Sequence, residues 1–232
     1  IRKACSAHYA DESHEHMVQP GMVYLSSPTE FGTLYSRAEM TDISRACREL
    51  GLFLYVDGAR MGYGLMSEAN DMNLADYAAL CDVFSIGGTK VGALFGEAVV
   101  IASPALKNDF RYLMKQRGAM LAKGRLLGLQ FLALFQDDLY FRISAQADAL
   151  AMKLRRAFLE QGWKLLYNSF TNQQFPIVPD NVLQRLSSDY SFSFWQKTDA
   201  THSAVRFCTS WATTEESVDE LMADLKKTGL EH

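Results

Sequence analysis

Two short phrases hold the residue types best suited to chemistry. "FLYVDGAR" (Phe53–Arg60) ends an apolar run in the carboxylate of Asp57 and the guanidinium of Arg60, and "SIGGTK" (Ser85–Lys90) ends the next in a lone lysine. In an open parallel sheet, ligands bind at the carboxyl ends of strands, and Asp57 and Lys90 each fall at such an end. A carboxylate there is costly to desolvate unless a cation meets it. Burial lowers a lysine's proton affinity and makes it a nucleophilic amine. Taken singly, Asp57 reads as a turn cap, and Arg60 and Lys90 as solvent-facing charges. Taken as a set they say more. The glycines before Lys90 let the backbone pass close to something flat or bulky. An acid that keeps a proton on a ring nitrogen, with a lysine that forms a Schiff base, is the pairing pyridoxal phosphate requires.

The elements that must position these residues alternate. "MVYLSS" (Met22–Ser27) reads as a strand closed by Pro28. "YSRAEMTDISRACRELG" reads as a helix: Ser36 and Glu39 make a capping box, Met40, Ile43, Cys47 and Leu50 share a face, and Gly51 suits a left-handed stop. "LFLYVD" is a continuous apolar run, expected of a strand buried on both faces. "LADYAALC" reads as a short helix, and "DVFSIGG" and "EAVVIAS" as strands, so the layer is α/β with a mostly parallel sheet. From Pro104 long helices follow: "PALKNDFRYLMKQRG", "MLAKGRLLGLQFLALFQDD", and "LYFRISAQADALAMKLRRAFLEQG" with Gly162 as its stop. Then "WKLLYN", "QFPIV", "YSFSFW" and "AVRFCTSW" read as strands, "DNVLQRLSS" as a helix, and "TEESVDELMADLKKTG" as a helix capped by Thr213 or Thr214. The expected division is a large domain over residues 1–139 and a smaller α+β domain over 140–232, with a tag remnant ending in "LEH" within 229–232.

Composition narrows the function. The 232 residues are 48% hydrophobic and 22% charged, ordinary for a globular chain. A formal net charge of -4 gives no electrostatic argument for nucleic acid or anionic membrane. No apolar run has the length of a membrane span, and residues 1–16 are polar, with "DESHEH" reading as solvated. Cys5, Cys47, Cys81 and Cys208 are scattered, which favours free buried thiols in a reducing cytoplasm over a disulfide framework or zinc site. His14 and His16 read as solvated rather than metal-binding, so no metal is expected. "GGTKVGALFG" lacks the glycine spacing of a nucleotide loop. The Phe/Leu stripe of "LLGLQFLALF" reads as core or subunit interface.

The phrases "HMVQPGMVYLSSPTEFGTLYS", "LYVDGARMGYGL", "DVFSIGGTKVGALFGEAVV", "RYLMKQRGAMLAKGRLLGLQFLALF" and "VRFCTSW" carry a family likeness. Across these ordered segments the chain resembles the low-specificity threonine aldolase and β-eliminating lyase group of fold-type-I pyridoxal phosphate enzymes. The resemblance implies an aspartate aminotransferase-like large domain and a smaller C-terminal α+β domain. It implies that Lys90 is the Schiff-base lysine, that Asp57 pairs with the pyridinium nitrogen, and that Arg60 fixes cofactor tilt near the ring hydroxyl. It implies that Arg206 binds the substrate's α-carboxylate through a bidentate fork. Lys123 and Arg125 resemble a basic pair that reaches a neighbouring subunit's cofactor phosphate, and Thr89 adds a phosphate hydrogen bond or shapes the loop.

The same resemblance implies a cytoplasmic homodimer or homotetramer acting on a small-molecule amino acid, with pyridoxal 5'-phosphate as cofactor and no nucleic-acid or membrane partner. The implied reaction cleaves threonine or related β-hydroxy-α-amino acids to glycine and an aldehyde. β-Elimination uses the same electron sink and stays open, as does a non-catalytic remnant that lost the cofactor. Relatives extend well before the point where this chain begins, through the glycine-rich turn that cradles the phosphate and a stacked histidine. The chain is therefore expected to be a piece of a longer enzyme, with an apolar sheet face left exposed and doubtful activity alone.

Overall fold

The computed structural model describes residues 1–229, so the tag-like "LEH" at 230–232 lies outside the described residues. Helix α1 (Arg2–Ala10) comes first, in a stretch the sequence marks only as polar, and "DESHEH" after it is mostly exposed, as expected. The helix forms because Cys5 and His8, one turn apart, share a buried side. Strands β1 (Met22–Ser26), β2 (Phe53–Asp57), β3 (Val83–Gly87) and β4 (Glu97–Ile101) make one sheet in that spatial order. The first three are parallel, and β4 runs antiparallel to β3. The register sets Ser26 beside Asp57, so the carboxyl ends of the parallel strands lie side by side.

Helix α2 (Arg37–Glu49) begins at the capping box read from the sequence. Ser36 Oγ accepts from Glu39 N at 3.2 Å, and the Glu39 carboxylate accepts from Ser36 N at 2.8 Å. Gly51 ends the segment at φ +67°. Met40, Ser44 and Cys47 are buried, but Leu50 is 37% exposed because it sits past the last helical turn. Helix α3 (Met61–Met66) follows β2 directly, and α4 (Leu74–Leu80) starts at a second reciprocal cap, Asn73 with Asp76.

β2 is not buried on both faces. Leu54 and Val56 lie in the core with α2 against them, whereas Phe53 is 39% exposed. Tyr24 (58%) and Val99 (51%), on the same side by register, leave an exposed apolar face.

The long helices expected after Pro104 are shorter. Asp109, at φ +55°, divides a single turn at Pro104–Leu106 from α5 (Phe110–Gln116). Asp137 and Asp138, at φ +51° and +57°, separate α6 (Arg125–Phe135) from α7 (Leu139–Glu160). Aspartate tolerates this conformation better than most side chains do. Gly162 stops α7 at φ +77°.

Beyond it, β5 (Gln173–Gln174), β6 (Ile177–Pro179) and β7 (Ser193–Lys197) each pair antiparallel with β8 (His202–Cys208). "WKLLYN" forms no strand, only one bridge between Leu165 and Pro176, and "QFPIV" divides between β5 and β6. Helices α8 (Asp180–Leu186) and α9 (Glu215–Gly229) complete the chain. Thr214 caps α9 by accepting from Ser217 N at 3.2 Å, while Thr213 accepts from Ser210 N.

Two hydrophobic cores result, and α7 serves both: Tyr140 and Ala147 in one, Leu150, Leu154 and Phe158 in the other. Among the described residues, no helix is long and apolar enough to cross a membrane. Cys5, Cys47 and Cys81 are free and buried, but Cys208 is exposed, contrary to the expectation for all four.

Two predictions follow from burial. Met40→Ala should cost about 2–5 kcal/mol in denaturant unfolding, whereas Leu50→Ala should stay within about 0.5 kcal/mol. Asp148 on α7 is buried, and burial pushes its pKa up to about 9 against the opposing pull of the Asn172 backbone. Its folded pKa is thus raised, so the stability it contributes is present in acid and is lost as pH rises toward 9. Asp148→Asn should flatten the fall in melting temperature between pH 5 and 9 (a window of about four units). An unchanged slope would show the group carries no such linkage.

Candidate active site

The turns that follow β2 and β3 interlock through bare backbone. Gly58 N donates to Ser85 Oγ at 3.0 Å, and Gly87 N donates to Gly58 O at 2.9 Å. A Cβ on Gly58 would collide with Ser85 O, and one on Gly87 with Ala59 O. Only glycine lets the two turns approach this closely. Asp57 and Lys90 flank this joint.

Asp57 uses both oxygens. Oδ1 accepts from Ala59 N at 2.9 Å and Oδ2 accepts from the Tyr24 hydroxyl. That bond pushes the Tyr24 phenol up to about 12. A carboxylate has about four lone-pair sites, so Asp57 retains room for a further donor. Arg60, at the start of α3, is mostly buried and lies 3.5 Å from Glu30 Oε1. Lys90 sits in a single helical turn, Thr89–Val91, where both Thr89 and Lys90 are exposed. Its ammonium has no hydrogen bond or ion pair among the described residues. Its carbonyl is held instead, accepting from the buried Tyr63 hydroxyl, whose pKa burial pushes up to about 12.

Arg206, within β8, reaches the same region from the other core. Nη1 donates to Gln173 Oε1 at 3.2 Å, and the guanidinium lies 5.7 Å from the Trp195 ring centre. Nε is shielded and has no acceptor. Gln173 is fully buried, and its amide donates to Glu30 O at 3.4 Å. A polar chain therefore runs from Arg206 through Gln173 and Glu30 to Arg60. Cys208 shows how closely these charges gather. Surrounding protein raises its thiol pKa most strongly, Arg206, Arg60 and Lys90 pull it down, and Glu30 pushes it up.

Lys123 and Arg125 lie apart. Both are exposed at the start of α6 and form no hydrogen bond or ion pair with Asp57, Arg60 or Lys90 among the described residues. Their helix still serves the site. Gln130 accepts from Leu94 N at 2.7 Å and donates to Phe95 O at 3.1 Å, holding the loop after Lys90. Leu127 and Phe131 pack against Gly96 and Gly88, while Leu126, Leu129 and Leu132 face outward.

The sequence reading missed Tyr24, Glu30, Tyr63 and Gln173. Tyr24 had a signal, since strand alternation and pairing put it on the face of Asp57. Glu30 and Gln173 sit in loop and short-strand contexts that no periodicity marks.

The fold, with its mostly parallel sheet, is the fold-type-I α/β architecture. The chain belongs to the beta-eliminating lyase family, whose model matches residues 3–178. It is 32% identical over 212 residues to a low-specificity L-threonine aldolase of Pseudomonas aeruginosa, covering 91% of this chain. The chain spans about 60% of the length of that relative. A threonine aldolase structure from Leishmania major superposes with a TM-score of 0.92 at 42% identity, over 97% of this chain and 65% of that one. A putative L-allo-threonine aldolase from Listeria monocytogenes, at 17% identity and TM-score 0.67 over 94% of this chain and 64% of that one, shares the fold.

Exposure singles out one thiol. Iodoacetamide under native conditions should label Cys208 and spare Cys5, Cys47 and Cys81, as read by peptide mass spectrometry. Because the Cys208 pKa is raised, its labelling should lag a free cysteine (about 8.5) at neutral pH and climb as pH rises.

Proposed function

We propose that this chain carries the catalytic groups of a pyridoxal phosphate-dependent aldolase that cleaves threonine and related β-hydroxy-α-amino acids to glycine and an aldehyde. One observation carries the reading. The backbone joint flanked by Asp57 and Lys90 is tied through Arg60, Glu30 and Gln173 to Arg206, and the charges of Arg60, Lys90 and Arg206 all act on Cys208. Like charges are gathered at a cost that an anionic ligand offsets.

The residues fit the cofactor. Asp57 retains acceptor capacity, Lys90 has an uncommitted amine, and Gly88 leaves no room for a side chain beside Gly96 O and Phe131. When bound, pyridoxal phosphate supplies an aldehyde for amines and a protonated ring that withdraws electrons from the substrate's Cα. Asp57 keeps the proton on the ring nitrogen, and its own bonds from Ala59 and Tyr24 hold the carboxylate in place. Lys90 anchors the cofactor and exchanges with the substrate amine. Arg60 would help fix the cofactor's tilt at the ring hydroxyl, and Thr89 would hydrogen-bond the phosphate or shape the loop. Arg206 grips the substrate carboxylate, its unmet Nε adding to the demand for a partner.

The assembly belongs to the same proposal. Lys123 and Arg125 reach a neighbouring subunit's phosphate in a homodimer or homotetramer, and the outward Leu126, Leu129 and Leu132 supply apolar contact. The proposed boundary between the large and the smaller domain falls at residue 139, at the start of α7, whose first half packs in the large domain's core and whose second half packs in the other. The family description favours one second reading, β-elimination from an amino acid. Asp57 and Lys90 serve both reactions, so products decide.

The test uses the intact protein. It should absorb visible light with pyridoxal phosphate, and borohydride should fix the cofactor to Lys90. Threonine should yield glycine and acetaldehyde; pyruvate and ammonia from serine-type substrates would support elimination instead. Lys90→Ala should lower kcat at least about 10³-fold, and Arg206→Lys should raise KM about tenfold with a smaller change in kcat. Protein that stays colourless with added cofactor would refute the enzyme reading.

A further inference from the structure

Helix α7 sends one side chain into the joint between the two strand-end turns. Tyr140 is fully buried. Its hydroxyl accepts from Gly62 N at 3.0 Å and donates to Gly87 O at 3.0 Å. Gly62 lies on α3, just past Arg60, and Gly87 is the last residue of β3, just before the turn that carries Lys90. One phenol therefore bridges the segment bearing Asp57 and Arg60 to the segment bearing Lys90.

The ring has little freedom to do anything else. Phe135 stacks on it at 5.1 Å, and Phe141 meets it edge-on at 5.6 Å. A Cβ on Gly62 would come 2.9 Å from the ring and collide with Ser144 Oγ, so α3 rests directly on α7. Burial pushes the phenol's pKa up, and the hydroxyl keeps the proton it donates to Gly87 O.

We propose that Tyr140 is a positioning residue: acting through Gly62 and Gly87, it holds Lys90 in register with Asp57 and Arg60. This rests on the reading of Asp57 and Lys90 as a cofactor-binding pair. The bonds from Gly58 to Ser85 and from Gly87 to Gly58 do not involve the phenol. Loss of the hydroxyl therefore loosens one side of the joint without dissolving it. Two buried main-chain groups, Gly62 N and Gly87 O, are then left without this partner. A misplacement of about 1 Å between reacting groups costs up to about 100-fold in rate.

The experiment compares Tyr140→Phe with the wild-type intact protein. Amide exchange at Gly62 should speed by about tenfold, since its acceptor is gone; this readout needs no cofactor. Borohydride should still fix the cofactor to Lys90, but the pH profile of the visible absorbance should shift. kcat should fall about 10- to 100-fold while KM changes by less than about threefold. Incorporating 3-fluorotyrosine at position 140, which keeps the hydroxyl, should restore all three readouts. It also keeps the proposal testable if Tyr140→Phe fails to fold. Wild-type exchange at Gly62 in Tyr140→Phe, or a variant that loses only thermal stability while the absorbance profile and kcat stay wild-type, would overturn the proposal. Wild-type protein without colour or borohydride labelling would instead sink the cofactor reading, and the Gly62 exchange result would still report on the bridge.

Discussion

The site depends on a place where two backbones touch with no side chain between them. Gly58 and Gly87 let the turn after β2 and the end of β3 hydrogen-bond at 2.9 Å. A methyl group at either position would strike a carbonyl oxygen. Sheet pairing alone aligns β2 with β3 over only two residue pairs, Tyr55 with Val83 and Val56 with Phe84. The glycine joint extends that alignment past the last pair, where the sheet itself no longer constrains the chain. Asp57 and Lys90 branch from the two sides of this joint, so their spacing follows from backbone contact rather than from flexible side chains. Preorganised functional groups need this kind of rigid support.

Electrostatics explains why the surroundings of the joint are specialised. The chain as a whole is acidic, with formal net charge -4. Cys208, however, feels the positive charges of Arg206, Arg60 and Lys90 as well as the negative charge of Glu30. Several cations elsewhere are ion-paired: Arg2 with Glu49, Arg37 with Asp76, Lys153 with Glu215 and Asp219. Lys90 has no such partner, and Arg206 keeps a shielded Nε unmet. Positive charge drawn from the turn after β3, the start of α3 and β8, of which only Arg60 has an ion-pair partner among the described residues, is destabilising by itself. An anionic ligand of the proposed kind would offset it.

Much of this was legible in the sequence because its causes are local. The capping box at Ser36 and Glu39, the left-handed stops at Gly51 and Gly162, and the charged residues at strand ends all arise within a few residues. The failures have a different origin. Phe53 was expected to be buried because an apolar run looks the same whether one face or both are covered; what packs on it comes from elsewhere. Asp137 and Asp138 break a helical pattern through backbone conformation, which residue type only weakly encodes. Gln173 and Glu30 were invisible because their roles come from non-local contacts: with each other across 143 positions, and with Arg206 and Arg60 well outside any local pattern. Tyr24 was within reach, since its face follows from alternation along β1.

The long-range contacts also explain why the two cores cannot position the site independently. The segment Thr29–Thr33 belongs to the large sheet's side of the molecule, but Ser169 and Thr171 hydroxyls both donate to Gly32 O, at 3.0 and 3.3 Å. A Cβ on Gly32 would collide with Ser169 Oγ, so this contact too is backbone against side chain with no slack. Pinned there, the segment presents Glu30, whose carboxylate meets Arg60 and whose carbonyl meets Gln173. Gln173 in turn holds Arg206. Arg206 is therefore located by reference to Arg60, across the boundary between the cores, rather than by its own strand alone. A ligand that bridges Arg206 and Lys90 then meets a spacing fixed by two rigid references, the glycine joint on one side and the Gly32 clasp on the other. Either reference failing would shift one end of the ligand site while leaving the other in place.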